Sequence, residues 1–105
     1  MNRLTASFLA STMLFLAGPA SAEIKVVASI KPIHSLVAAV MEGISEPGLI
    51  VEGAGSPHTY ALKPSQAQKL ESADVVFWVG HDLEAFLEKH MVTIGDNVRS
   101  VELIN

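Results

Sequence analysis

Val75-Val76-Phe77-Trp78-Val79 is an uninterrupted apolar run, opened by Asp74 and closed by Gly80. A strand with no polar alternation is typically buried on both faces, which is the situation in a parallel sheet covered by helices. The rest of the chain supplies matching pieces. Ile24 to Ser29 is short and rich in β-branched residues, Leu49-Ile50-Val51 is a second apolar run, and Arg99 to Ile104 alternates apolar positions. Between these runs the spacing turns helical. Ile33, Leu36, Val37, Val40 and Met41 form one face after Lys31-Pro32, with Gly43 as a stop. Pro64 to Glu71 reads as a short polar helix opened by proline. In the third helix Asp82 is the expected N-cap, Leu83, Phe86 and Leu87 line one face, and Glu84 and Glu88 lie on solvated faces. The order βαβαβαβ, with crossovers long enough for parallel strands, predicts an α/β fold in which a parallel-stranded sheet is flanked by helices, with Trp78 in its core.

The first residues read differently. Met1-Asn2-Arg3 is positive, Phe8 to Ala17 is apolar, and Ala20-Ser21-Ala22 is a small-x-small exit, the three marks of a secretory signal peptide over residues 1–22. Cleavage after Ala22 leaves a domain over residues 23–105, bound for the periplasm or an equivalent compartment. It carries six basic residues against eleven acidic ones and has no cysteine, so no disulfide supports it. No basic cluster is present, which argues against nucleic acid as a partner, and the acidic balance suits a cationic ligand.

The stretch with most chemical content is Gly53 to Ser65, where the second apolar run ends in a turn bearing His58. Open α/β sheets place ligands at such strand-to-helix junctions, outside the carboxyl ends of the strands. His34, His58 and His81 each follow an expected strand by a few residues, so a parallel sheet brings all three to one edge. Histidine is the commonest metal ligand, and zinc takes imidazole nitrogens, usually in a set of four ligands. His34, in the first turn of a helix, equally suits a structural hydrogen bond. Gly53-Ala54-Gly55 lacks the third glycine of a dinucleotide loop and the lysine of a P-loop, and no serine sits in a nucleophile elbow.

Three segments, Val27-Ala28-Ser29-Ile30-Lys31-Pro32, Gly55-Ser56-Pro57-His58-Thr59-Tyr60-Ala61-Leu62-Lys63-Pro64-Ser65, and Ala73 to Gly80 followed by Leu83-Glu84-Ala85-Phe86, resemble the start of the metal-type solute-binding proteins of ABC uptake systems, in particular the ZnuA-like zinc-binding branch. The likeness spans nearly all of residues 23–105. The Pro-His-x-Tyr-x-Leu-x-Pro-Ser loop is its most specific part. The resemblance implies a two-lobed α/β protein holding a metal between its lobes, of which this chain is an incomplete N-terminal lobe. It implies that the chain is no enzyme, that Zn2+ is the transported ligand, that His58 is the first metal ligand, and that the permease of an ABC transporter receives the metal. His81 and His34 are the further candidate ligands here, and a monomer is expected. The family's other ligands come from later in the chain, so a truncated product is one expectation. A manganese or iron member of the family, a non-functional truncated product, and an exported hydrolase using His58 as general base are the alternatives.

Overall fold

A computed structural model describes residues 23–53 and 55–104; the expected signal peptide lies outside the described residues. The elements follow the expected order: β1 (Val26–Ala28), α1 (Lys31–Val40), β2 (Gly48–Leu49), α2 (Pro64–Glu71), β3 (Val75–Trp78), α3 (Ala85–Ile94), a 3-10 turn over Gly95–Asn97, and β4 (Arg99–Glu102). The strands form one sheet in the order β2-β1-β3-β4. All three pairings are parallel, with Val27 opposite Gly48 and Val76, and Val76 opposite Ser100.

The ladders extend past the strands proper. Ile50 and Val51 N–H groups donate to Ala28 and Ser29 carbonyls at 3.1 and 2.9 Å, which is why an apolar run read at 49–51 functions as strand although β2 itself is two residues long. Leu103 and Ile104 donate in the same way to Trp78 and Val79, both at 2.9 Å. At the other edge Asp74 ties β1 to β3, its Oδ2 accepting from Lys25 N–H at 2.8 Å.

Strand alternation divides the sheet into two faces. Val27, Val76 and Trp78 point to one side and meet Leu70 of α2 and Leu87 and Met91 of α3, with Ile50, Val51, Ala73 and Val98 closing the core. The Trp78 indole N–H donates to Ser100 Oγ at 2.9 Å, so its polar edge is satisfied while its ring is buried. Val26, Val75 and Phe77 point to the other side, toward α1.

That second face is only partly covered. Pro32 stands in the first turn of α1 and Gly43, at φ 81°, follows its end as the sequence predicts. Of the five apolar residues expected to pack inward, however, only Ile33 is buried; Leu36 is 69 % and Val40 82 % exposed. An open groove of about 990 Å³ runs between α1 and the sheet, walled by Val26, Val75, Phe77 and Leu103. The helical spacing was right, but a face is buried only where a second layer exists to bury it.

The start of α3 departs further from expectation. Asp82 is not the N-cap: residues 81–83 form a turn, Leu83 precedes the helix, and Glu84 occupies the cap position. Glu84 is not solvated but fully buried, its Oε2 accepting from Val79 N–H at 2.6 Å and Gly80 N–H at 3.4 Å. Those amides sit just past the end of β3 and need an acceptor once the ladder stops; a carboxylate turned inward supplies it, so the helix begins at Ala85, two residues later than an Asp82 cap would start it.

A candidate metal-binding edge

The strand order 2-1-3-4 is that of a doubly wound sheet, in which the chain first builds outward on one side of β1 and then crosses to the other. The point of reversal lies between β1 and β3, and the crevice beyond the carboxyl ends of those strands is where such folds bind ligands. α1 lies on one face and α2 and α3 on the other, as that winding requires. Ser29 at the end of β1 and the 79–84 loop after β3 flank the reversal. Ser29 Oγ and Glu84 Oε1 are both buried there, and among the described residues neither has a hydrogen-bond partner.

The loop bearing His58 leaves the carboxyl end of β2 and enters α2. Its tip is a turn over Pro57–Thr59, closed by Thr59 N–H donating to Ser56 O at 3.2 Å and His58 N–H donating to Ser56 Oγ at 3.3 Å. The His58 residue is exposed. Two side chains fasten this loop to the body. Gln66, buried on α2, accepts from Lys63 N–H at 2.9 Å through Oε1 and donates through Nε2 to Ile50 O at 2.8 Å and to the Tyr60 hydroxyl. The Tyr60 ring meets Phe86 of α3 with centroids 5.2 Å apart and planes tilted by 58°. Gly55 lies against the same ring, where a Cβ would sit 3.3 Å from Tyr60 Cδ2. The exposed histidine is therefore carried on a loop held at both its β2 and α3 sides.

His81 lies in the loop after β3. The ring Nδ1 is 3.3 Å from Oε1 of Glu102, the last residue of β4, and Nε2 is 3.2 Å from Asp82 Oδ1. Its pKa is raised, first by the hydrogen bond to Glu102 and then by the charge of Asp82. His34 is turned elsewhere: its Nε2 lies 2.9 Å from Pro47 O, in the irregular segment just before β2, so one ring nitrogen is taken up in fastening α1 to that segment.

The three imidazoles thus share the sheet's topology without sharing a site. Among the described residues, no group of three or more histidine, aspartate or glutamate side chains is placed to hold a metal ion. Tyr60 on Phe86 does bring the His58 loop against the start of α3, beside the loop of His81. Sequence reasoning missed two residues that build this edge. Gln66 carried a signal, since a Gln three residues after a helix's N-cap is half of a capping box. Glu84 carried none, because its spacing with Glu88 is also that of an exposed helix face.

Curated relatives are zinc uptake proteins. The chain is 48% identical over 108 residues to the high-affinity zinc uptake system protein ZnuA of Brucella abortus (strain 2308), a match covering 98% of this chain and 32% of that protein. It is 41% identical over 92 residues to the ZnuA of Yersinia pestis, covering 87% and 29%. The chain thus spans about a third of the length of the relatives it matches. Solved structures share the fold. The periplasmic zinc binding protein TroA from Treponema pallidum superposes with a TM-score of 0.70 at 20% identity, covering 76% of this chain and 29% of that one. The Zn(II)-bound ZnuA-like domain of Streptococcus pneumoniae AdcA superposes with a TM-score of 0.69 at 17% identity, covering 77% and 31%. Since the sequence model of the zinc-uptake complex component A periplasmic family, ZnuA, matches residues 26–104, the chain belongs to that family.

Proposed function

We propose that this chain is the N-terminal lobe of a periplasmic zinc-capture protein, with His58 as a ligand of the transported Zn2+. The observation that carries the proposal is the fastened yet exposed histidine: the loop is pinned by Gln66 and Tyr60, while His58 itself faces solvent. A ligand presented this way loses little conformational freedom when it binds, which is the benefit of preorganisation. Neutral imidazole suits zinc, and curated relatives at 41–48% identity are named for zinc uptake, which favours zinc over the manganese alternative.

One imidazole does not hold zinc tightly, because structural and catalytic zinc sites use three or four protein ligands. The remaining ligands come from a second lobe in this proposal. The uncovered groove beside α1 fits the same reading, since an apolar sheet face needs a covering layer. In the assembled protein the metal is captured in the periplasm after export by the 1–22 leader and passed to the permease of an ABC transporter. Binding and release, with no bond chemistry, are the whole of the mechanism.

The test is calorimetric titration with Zn2+ of the chain in a His81→Ala background, which removes the other exposed candidate imidazole of that edge, alongside the same chain carrying His58→Ala. Weak binding that falls at least tenfold in the variant is the expected result. Identical isotherms for the two proteins would remove His58 from the site.

A further inference from the structure

His81 and Asp82 bring a ring nitrogen and a carboxylate oxygen to the separation kept by two ligands of one metal ion. Nε2 and Oδ1 stand 3.2 Å apart. Two donors about 2.0–2.1 Å from a zinc ion, at a tetrahedral angle, are separated by about 3.3–3.4 Å. The separation of the two donors thus matches that of a shared cation.

The other side of the ring is already arranged as it is in metal-binding histidines, which donate their second N–H to a carboxylate. Glu102 Oε1 lies 3.3 Å from Nδ1 and accepts from His81 N–H, also at 3.3 Å. With Nδ1–H donated to Glu102, the tautomer is the one that leaves the Nε2 lone pair free for a cation. This orienting carboxylate comes from a different element, the end of β4, and the loop backbone is pressed against it: a Cβ on Gly80 would lie 2.7 Å from the same Oε1. Asp82, Glu88 and Glu102 surround the ring with negative charge, which favours a cation there.

We propose that His81 and Asp82 chelate a divalent cation of the zinc type, with Glu102 setting the ring orientation and water filling the remaining positions. The site is open, since the His81 side chain is half-exposed and that of Asp82 almost fully so. Two protein ligands make it a weak site, one that fills only at raised metal concentration. It goes beyond the His58 reading and does not depend on it.

The test follows the imidazole nitrogens of the 15N-labelled 105-residue chain by NMR during a ZnCl2 titration. The expected result is a metal-bound shift at His81 Nε2 with Nδ1 still protonated, unchanged in His58→Ala. Asp82→Asn should weaken it at least tenfold and Glu102→Gln to a smaller extent; amide spectra report whether each variant is folded. A His81 ring that stays unmoved at Zn2+ concentrations shifting His58 would overturn the chelate. So would equal affinity in folded Asp82→Asn, which would leave His81 and Asp82 as an ion pair only. If His58→Ala abolishes the His81 response, the two histidines belong to one shared site: the separate chelate falls and the His58 proposal stands.

Discussion

Replacing Glu84 by alanine tests the least expected feature of the structure. The side chain is fully buried, and its Oε2 accepts from Val79 N–H at 2.6 Å and from Gly80 N–H at 3.4 Å. A hydrogen bond to a charged group contributes about 1.5–3 kcal/mol. The longer contact adds little, so one such bond sets the scale. Removing the buried γ-methylene adds about 1 kcal/mol of lost packing. Against this stands relief of a desolvated carboxylate whose Oε1 has no partner among the described residues. The sum is a loss of about 2–3 kcal/mol. For a domain of this size that lowers Tm by roughly 10–20 °C. Urea and thermal unfolding followed by circular dichroism measure it, with Glu88→Ala, an exposed position on the same helix, as the control within about 0.5 kcal/mol. Glu84→Gln, which keeps an acceptor for the two amides, should lose less than half as much as Glu84→Ala. Equal, small effects at positions 84 and 88 would refute the inward-turned carboxylate.

Two further outcomes follow from the same loop. His81 should titrate above the ordinary histidine range, and Glu102→Gln should bring it down, because Glu102 is the largest cause of the shift and Asp82 the next; proton NMR of the ring across pH 5–9 checks both. As the folded-state pKa is the higher one, the stabilisation from this pairing is fully present below the unfolded-state pKa and is lost as pH rises through the folded-state value. Gly80→Ala should cost about 2 kcal/mol or more, since φ is 151° and the added Cβ would meet Ile104 O and Glu102 Oε1 at 2.7 Å. An alanine variant as stable as the parent in urea would show that the loop backbone is free to relax.

The layered architecture was legible in the residues because it depends on local pattern. An unbroken run such as Val75–Val79 marks a strand of a helix-flanked sheet, although here only its Val76 and Trp78 side is fully buried, and prolines at 32 and 64 mark helix starts wherever they fall. The histidine loop was legible for the same reason, its glycines and proline forming a turn between a strand and a helix. What local pattern could not supply was the inward or outward sense of groups whose partners are distant in sequence. Glu84 and Glu88 have identical spacing to a solvated pair, yet one is buried because the amides at the end of β3 require an acceptor. Leu36 and Val40 have the spacing of a core face, yet they lie open because no second layer reaches them among the described residues. His34, His58 and His81 were brought toward one sheet edge by topology, but Pro47 O, the Gln66-pinned turn and Glu102 send them in separate directions. The chain alone determined which residues form strands, helices and the exposed loop, since those follow from near-neighbour sterics and hydrophobic period. Only the tertiary structure decided which side chains meet, because burial and hydrogen-bond pairing are settled by contacts between residues far apart along the chain.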